Sequence, residues 1–284
     1  MTALTGQIVL VTGANGGLGT EFVRQALDRG ATKVYAAARR PRDWDDARVV
    51  PLVLDVSDQA SVSHAATEAA DVTVVVNNAG QLRQGGLVDG PLEDIRTQIE
   101  TNLVGPLLVT RAFAPALRQA HGAVVNVASV LSWLPGSGAY GVSKAGLWSA
   151  TDSTRLELAG DGVQVVGAYL GYTDTAMTDG VDAPKNTPEQ VVTAVFDGVE
   201  QGADEVLADE LTKAVRASLG APSAARTAAR AGCPGHGTTG WPGASGHRAS
   251  CPSGGGVRHR HVRQERHQAS NGVAGTWRLC SVAW

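Results

Sequence analysis

Residues 7–30 read Q-I-V-L-V-T-G-A-N-G-G-L-G-T-E-F-V-R-Q-A-L-D-R-G, and this stretch decides the fold of the chain. Residues 7–12 are a short apolar run rich in β-branched side chains, which is typical of a buried parallel strand. Residues 13–19 are rich in glycine, and residues 20–30 show helical spacing of apolar side chains up to Gly30. A strand, a glycine-rich turn and a helix in this order let the backbone approach a pyrophosphate at the helix N-terminus, which favours a dinucleotide site. The spacing T-G-x-x-x-G-x-G differs from G-x-G-x-x-G, however, and glycines in such turns are often purely structural.

The alternation of short apolar runs and helical patterns continues to residue 219. The predicted strands cover residues 7–12, 33–38, 49–54, 72–76, 123–127, 163–170 and 205–208, and the predicted helices cover residues 20–30, 58–69, 91–118, 139–159, 188–200 and 209–219. Residues 171–187 are predicted to form a loop, and the longest helix is expected to be kinked or interrupted at Pro106 and Pro115. This alternation predicts a single α/β domain over residues 1–219, a Rossmann-like doubly wound parallel sheet in a three-layer αβα arrangement.

The composition is that of a protein with a sizeable core. Of the 284 residues, 43% are hydrophobic and 18% are charged, and no apolar run reaches the roughly 18 residues that a membrane span requires. The N-terminus has no basic segment ahead of its first apolar run, so no signal peptide is predicted. The three cysteines, Cys233, Cys251 and Cys280, lie in the last fifth of the chain. A cysteine-free body favours a cytoplasmic location.

Residues 220–284 differ from the rest of the chain in composition. They contain eight arginines, twelve glycines and a single acidic residue, Glu265, whereas the preceding part is acidic. This bias predicts a disordered basic tail, and it resembles a GC-rich gene read in a shifted frame, so a frameshift or read-through is one hypothesis. An arginine-rich segment that binds nucleic acid is the less favoured alternative. His259 and His261 have no clear third ligand nearby, so no metal site is predicted.

Polar residues or glycines follow the predicted strands where each one ends. They are Gly13, Arg39, Asp55, Asn78, Ser129 and Gly171. The carboxyl ends of parallel strands meet at one edge of a sheet, and ligands of doubly wound sheets bind beyond that edge. The sequence therefore predicts one binding site to which all of these strand ends contribute.

A tyrosine and a lysine stand four residues apart on the helix predicted after the fifth strand. Tyr140 and Lys144 would share one face of that helix. A phenol titrates near 10, and a neighbouring ammonium favours the phenolate, although lowering its pKa by about three units needs roughly 4 kcal/mol. The pair could serve as an acid–base group, but the pattern Y-x-x-x-K also occurs on ordinary exposed helices. Its position close after Ser129, at the predicted binding edge, favours the catalytic interpretation.

The end of the second predicted strand bears on the choice of cofactor. In dinucleotide-binding folds an acidic residue there binds the free 2′-hydroxyl of the adenosine ribose and repels a 2′-phosphate. Ala38 and Arg39 stand at this position instead, and a guanidinium favours a phosphate, so NADP(H) is predicted over NAD(H). An exposed loop arginine with no ligand is the alternative interpretation.

Several motifs stand together in an order that resembles the classical short-chain dehydrogenase/reductase family. They are T-G-A-N-G-G-L-G at residues 12–19, D-V at 55–56, N-N-A-G at 77–80, Asn102, Ser129 and Y-G-V-S-K at 140–144. The resemblance covers residues 5–219. It implies an NADP-dependent oxidoreductase that reduces a ketone or aldehyde to an alcohol, or catalyses the reverse, by hydride transfer.

The resemblance also implies roles for individual residues. Tyr140 would be the proton donor, Lys144 would lower the tyrosine pKa and bind the nicotinamide ribose, and Ser129 would hold the substrate oxygen. Asn102 would anchor a water relay to the lysine, although a buried asparagine more often bridges backbone groups. The implied cofactor contacts are Gly13, Asn15, Gly17, Leu18, Gly19, Arg39, Asp55, Val56, Asn78, Ala79, Gly80, Tyr140, Lys144, Gly171, Thr173 and Thr175.

The chain departs from the family pattern around the substrate. Ser129 and Tyr140 are closer in sequence than is usual, and Leu170 stands before Gly171 where the family usually has proline. The segment that matches the substrate lid, residues 176–187, is short, which predicts an open pocket. The residues expected to line the substrate site are Trp133, Leu134, Tyr169 and Met177, which would favour an apolar or aryl ketone. Packing of the loop is the alternative interpretation of Trp133.

Two further expectations concern function and assembly. A cofactor-binding sensor or scaffold without turnover is the alternative function, although such proteins usually lack the tyrosine or the lysine. Beyond its small-molecule substrate, the chain is expected to associate with copies of itself as a homodimer or homotetramer, through the helices near 91–118 and 139–159. Apolar surface for this is expected from Ala145, Leu147, Ala150 and Leu156. Neither a membrane nor a nucleic acid is an expected partner.

Overall fold

Seven parallel strands form one sheet in the computed structural model, which describes residues 2–222. The strands are β1 Ile8–Thr12, β2 Lys33–Ala38, β3 Val49–Val53, β4 Val74–Asn77, β5 Ala123–Val127, β6 Gln164–Tyr169 and β7 Glu205–Leu207. They lie in the order β3-β2-β1-β4-β5-β6-β7, with every neighbouring pair parallel. The order reverses between β1 and β4, and a crevice forms at such a switch point.

Helices cover both faces of the sheet. They are α1 Gly17–Asp28, α2 Gln59–Glu68, α3 Leu92–Ile99, α4 Gly105–Ala120, α5 Gly138–Leu158, α6 Pro188–Gln201 and α7 Glu210–Ala217. Side chains of β1 alternate between the two faces: Val9 and Val11 pack in one core with Phe22 of α1, while Leu10 packs in a second core with Phe113 of α4. The three-layer αβα fold predicted from the alternation is confirmed.

The predicted long helix is interrupted between α3 and α4. Residues Glu100–Val104 form a π-helical turn, in which the Gly105 N–H bonds to the Glu100 carbonyl five residues earlier. Pro106 has no N–H to donate to the carbonyl of Asn102 at the usual four-residue spacing, which is a physical reason for the interruption. Pro115, in contrast, lies inside the continuous α4, so the helix is interrupted near the first proline and not at the second.

The predicted tail lies mostly outside the residues that the structure describes. Residues 223–284, with most of the predicted tail and all three cysteines, lie outside the described part of the chain. Within residues 2–222, no helix has the length and apolar character needed to cross a membrane. The same residues contain no cluster of three or more histidine, cysteine or carboxylate side chains that could hold a metal ion.

Candidate active site

A cavity of about 720 Å³ lies beyond the carboxyl ends of β1, β4, β5 and β6. The glycine-rich turn lines one part of it, and Ser129, Tyr140 and Lys144 line another. The loop after β4 and the segment after β6 complete the wall through residues that include Gly80 and Thr173. The topology thus joins at one cavity the turn and the Tyr–Lys pair that the sequence singled out separately.

The turn between β1 and α1 is built by close backbone packing. Gly13 has a φ of +67°, in the left-handed region that favours glycine. A Cβ atom on Gly19 would overlap the carbonyl oxygen of Gly13 and lie 2.8 Å from the Cα atom of Ala14. Gly16 caps α1 without a side-chain hydrogen bond, so the first N–H groups of the helix have no side-chain acceptor at the cap. Such a cradle fits the phosphates of a dinucleotide.

Two neighbouring segments hold this turn in place. The Thr12 hydroxyl accepts hydrogen bonds from the backbone N–H groups of Asn78 and Ala79, both at 3.0 Å. The Asn78 side chain donates to the Thr12 carbonyl at 2.9 Å. On the other side, a Cβ atom on Gly17 would lie 2.8 Å from the Thr175 side chain. The turn is therefore fixed by the loop after β4 and touched by the segment after β6.

Asn102 is fully buried in the π-helical turn. Its side chain bonds both backbone groups of Gln81, accepting from the N–H and donating to the carbonyl at 2.9 Å each. It also donates to the Ser143 hydroxyl at 3.1 Å. Asn102 does not line the cavity. It bridges the loop after β4 to α5, one residue before Lys144, as the simpler interpretation of a buried asparagine predicts.

Ser129 follows β5 and caps a 3-10 turn over Val130–Ser132 by accepting a hydrogen bond from the Leu131 N–H at 3.1 Å. Its side chain is also close enough to Tyr140 to lower the pKa of the phenol. The short connection between the two residues therefore still brings both hydroxyl groups together. Lys144 lies on the same face of α5 as Tyr140, with its ammonium nitrogen 5.7 Å from the centroid of the tyrosine ring.

Burial governs the titration of this pair. It raises the pKa of Tyr140 to about 12, against a smaller lowering by the Ser129 hydrogen bond. Burial lowers the pKa of Lys144 to about 8, and the ammonium donates to the Val127 carbonyl at 2.7 Å. Burial thus has the largest effect on the pKa of Tyr140 in this structure, and the role of Lys144 in lowering the tyrosine pKa stays a prediction.

Two of the four predicted substrate residues line the cavity and two do not. Leu134 and Met177 lie in its wall. Tyr169 is fully buried and stacks on Trp133 with ring centroids 4.5 Å apart. A Cβ atom on Gly167 would lie 2.6 Å from the Tyr169 hydroxyl, so the ring extends back along β6, away from the strand's carboxyl end. The prediction is corrected for both aromatic residues, which pack in the core.

Trp133 lies in the connection between Ser129 and Tyr140, and its ring packs in the core. Besides Tyr169, it meets Trp148 edge to face at 5.9 Å, and the Arg216 guanidinium of α7 lies 5.6 Å from its centroid. The packing interpretation of Trp133 is thus the correct one. Through this one large buried side chain, the connection between Ser129 and Tyr140 is attached to the core.

The expected contacts at the adenosine end lie outside this cavity. Asn15 donates to the Arg40 carbonyl at 2.8 Å, which ties the glycine-rich turn to the loop after β2. Asp55 accepts from the N–H and the hydroxyl of Ser57, and these bonds, with the charge of Arg39, hold its pKa below the usual value. Val56 is buried, and a Cβ atom on Gly105 would lie 3.0 Å from its side chain.

Several wall residues were not predicted from the sequence. They include Leu82, Leu131, Tyr172, Lys185, Asp209 and Leu211. One pattern in the sequence does single out Asp209: an aspartate before a helical pattern is a common N-cap. Its place in the cavity depends on the hydrogen bond that its carboxylate accepts from Gly171 after β6, a contact that no local pattern predicts.

Comparison with known proteins identifies the family. Residues 7–186 match the family model described as short chain dehydrogenase. Ketoacyl reductase HetN of Nostoc sp. is 30% identical over 74% of this chain and 81% of that protein. A 3-oxoacyl-[acyl-carrier-protein] reductase of Synechocystis sp. is 33% identical over 64% of this chain and 81% of that protein. A crystal structure of a short chain dehydrogenase from Burkholderia cenocepacia in complex with NADP has a TM-score of 0.75 and 36% identity, over 81% of this chain and 98% of that one. The chain belongs to the short-chain dehydrogenase family and is an oxidoreductase.

Proposed function

We propose that this protein is an NADP(H)-dependent oxidoreductase that reduces a ketone or aldehyde to an alcohol, or catalyses the reverse reaction, with Tyr140 as the proton donor. The observation that carries the proposal is a single cavity lined both by the cradle at the start of α1 and by Ser129, Tyr140 and Lys144. Bound in that cradle, a nicotinamide cofactor would supply the hydride. The protein's own residues supply orientation and the proton.

The protonation state of Tyr140 suits carbonyl reduction. With a pKa of about 12 the phenol keeps its proton at neutral pH, so it can pass that proton to the oxygen of a carbonyl substrate. The Ser129 hydroxyl, which lines the same cavity as the phenol, can hold the same oxygen. The reverse reaction needs the phenolate, which is scarce at neutral pH unless a bound ligand changes the balance.

Replacement of Tyr140 by phenylalanine tests this role. The variant should lose about 10²–10⁴-fold in kcat, the usual contribution of general acid–base catalysis, while the Kd for NADPH stays within about twofold. Tyr35→Phe is the matched control, since Tyr35 bonds Asp71 at 2.9 Å and does not line the cavity. A Tyr140→Phe variant that turns over at the wild-type rate would refute the assignment.

The preference for NADP(H) is part of the proposal and rests on charge at the end of β2. Ala38 supplies no carboxylate there. The exposed Arg39 has no salt bridge within residues 2–222, although its charge acts on Asp55. The Burkholderia cenocepacia relative was solved in complex with NADP, which supports the same cofactor. Arg39→Asp should shift the ratio of kcat/KM for NADPH over NADH toward NADH, whereas Arg111→Asp, an exposed change on α4, should not. An unchanged ratio in the Arg39 variant would contradict the assignment.

The wall around Tyr140 favours a substrate with an apolar portion. The apolar side chains of the wall include Leu82, Leu131, Leu134, Met177 and Leu211. Two relatives are named for ketoacyl substrates, which supports a carbonyl within an apolar chain. The test is NADPH oxidation across aryl ketones, alkyl ketones, aldehydes and 3-oxoacyl esters. NADPH binding without turnover of any of them would favour the sensor alternative.

Self-association through α5 is also proposed, with one correction. Leu156 is 80% exposed and Ala145 and Ala150 are partly exposed, but Leu147 is only 1% exposed and faces the core. The predicted contribution of Leu147 to an interface is therefore wrong. Light scattering of the wild type and of Leu156→Asp tests the remaining surface, and a monomeric wild type would contradict it. The cytoplasmic location stays a prediction from the cysteine-free body.

A further inference from the structure

The carboxylate of Asp209 accepts four hydrogen bonds at the wall of the cavity. One oxygen accepts from the Gly171 N–H at 2.7 Å and from the Asn186 side-chain amide at 3.0 Å. The other accepts from the N–H and the hydroxyl of Thr212, both at 2.8 Å. One side chain therefore joins three parts of the chain: the end of β6, the segment just before α6, and the first turn of α7.

Asn186 closes the base of the segment that follows β6. Its N–H donates to the Tyr172 carbonyl at 2.8 Å, and its own carbonyl accepts from the Asp174 N–H at 2.9 Å. Thr173 and Asn186 form an isolated parallel bridge. We call Tyr172, Thr173 and Asn186 the neck, and residues 174–185 the lid segment. The two ends of the lid segment are thus held together at the neck.

The lid segment forms part of the cavity wall. Thr175, Met177 and Lys185 line the cavity, and Thr175 packs against Gly17 at the start of α1. Any shift of the neck relative to β6 moves these side chains relative to the glycine-rich turn. The attachment of the neck to the rest of the protein therefore sets the shape of the site.

We propose that Asp209 is a positioning residue that fixes the neck of the lid segment to β6 and α7, and so sets how the lid segment meets the cofactor and the substrate. What occupies the cavity rests on the function proposed above. A carboxylate is required because all four partners are donors, and a carboxylate is the side chain that accepts from all of them. An amide would place an N–H group against at least one of these donors.

The chain offers variants that separate this role from simple capping of α7. Asp209→Asn should disturb both sides of the carboxylate. Asn186→Ala removes the side-chain amide's bonds to Asp209 at 3.0 Å and to the Tyr172 carbonyl at 3.2 Å, and it leaves the capping side intact. Thr212→Val removes the hydroxyl bond on the capping side and keeps the neck bond. Lys185 is the single tryptic site in the lid segment, so cleavage between Lys185 and Asn186, followed by mass spectrometry, reports opening of the neck without any need for turnover.

Loss of a hydrogen bond to a charged acceptor corresponds to about a tenfold change or more in the opening equilibrium. Asp209→Asn and Asn186→Ala should each speed cleavage after Lys185 about tenfold and raise KM for the carbonyl substrate and Kd for NADPH. The double variant should do little more than either change alone. Thr212→Val should lower thermal stability and leave the cleavage rate and KM at wild-type values.

Unchanged cleavage, KM and Kd in a folded Asp209→Asn variant would overturn the proposal, because Asp209 would then be a helix cap only. If that variant fails to fold, the same unchanged values in Asn186→Ala would overturn it. If the wild type reduces none of the carbonyl compounds tested, the proposed function is contradicted. The cleavage rates would still decide the role of Asp209.

Discussion

Lys144 offers a direct test of the energetics of this site through the variant Lys144→Met. The side chain is 4% exposed, and its ammonium donates to the Val127 carbonyl. Burial lowers its pKa to about 8 from the model-compound value of 10.5. Methionine has similar length and no charge, so it removes the titration and keeps most of the packing.

The sign of the effect follows from proton binding. Between pH 8 and pH 10.5 the unfolded chain holds more protons on Lys144 than the folded protein does, so the free energy of unfolding rises with pH. From pH 7 to pH 10 this contribution amounts to about 2–3 kcal/mol, at roughly 1.4 kcal/mol per pKa unit. Tyr140 acts in the opposite direction, but its pKa is raised to about 12, so its effect begins above pH 10.

Urea unfolding at pH 7, 8, 9 and 10, followed by tryptophan fluorescence, measures this contribution. The free energy of unfolding of the wild type should gain about 2–3 kcal/mol relative to Lys144→Met over that range. Lys213→Met is the matched control, because Lys213 is 55% exposed and paired with Glu210 on the surface, and it should track the wild type. Parallel curves for the wild type and Lys144→Met would refute the claim that the ammonium is desolvated in the folded protein.

Two further predictions test the turn and the aromatic support. Gly19→Ala should destabilise the protein by about 1–3 kcal/mol through backbone overlap with Gly13, and it should abolish NADPH binding. Gly16→Ala is the control: its Cβ would lie 3.6 Å from the nearest atom, so it should cost less than about 1 kcal/mol. Equal stabilities of the two variants in denaturant would contradict the packing described. Trp133→Ala should cost about 3–5 kcal/mol and lower kcat more than it raises KM, because the connection between Ser129 and Tyr140 loses its packing against Trp148 and Tyr169. Trp133→Phe should restore most of both losses. A Trp133→Ala variant with wild-type kcat would show that the ring does not position the site.

The parts of the fold that were predicted correctly depend on patterns among residues close together in the sequence. The strand, turn and helix at residues 7–30 are set by β-branched runs, by glycines that permit close packing, and by helical spacing. Parallel strands share one carboxyl edge, so the strand ends also located the cavity. Ser129 and Tyr140 could be paired in advance for the same reason, although only the three-dimensional structure shows that eleven residues of separation let their hydroxyl groups meet.

The remaining features depend on contacts between residues far apart in the chain. Tyr169 was expected in the substrate site because of its place at the end of β6, yet its ring is directed back over Gly167. The sequence likewise could not show that the Lys144 ammonium is directed to the Val127 carbonyl, or that burial has the largest effect on the pKa of both Tyr140 and Lys144. A strand pattern fixes neither the rotamer of a side chain nor its desolvation.

The sequence by itself therefore determined the αβα fold and the edge of the sheet that carries the site, since both follow from local periodicity and turn chemistry. The tertiary structure alone decided the contacts around the site: the Trp133 ring on Tyr169, the Val127 carbonyl on Lys144, and the Asp209 carboxylate at the neck. Electrostatic and packing energies depend on distances between atoms, and those distances are set only when the elements pack together.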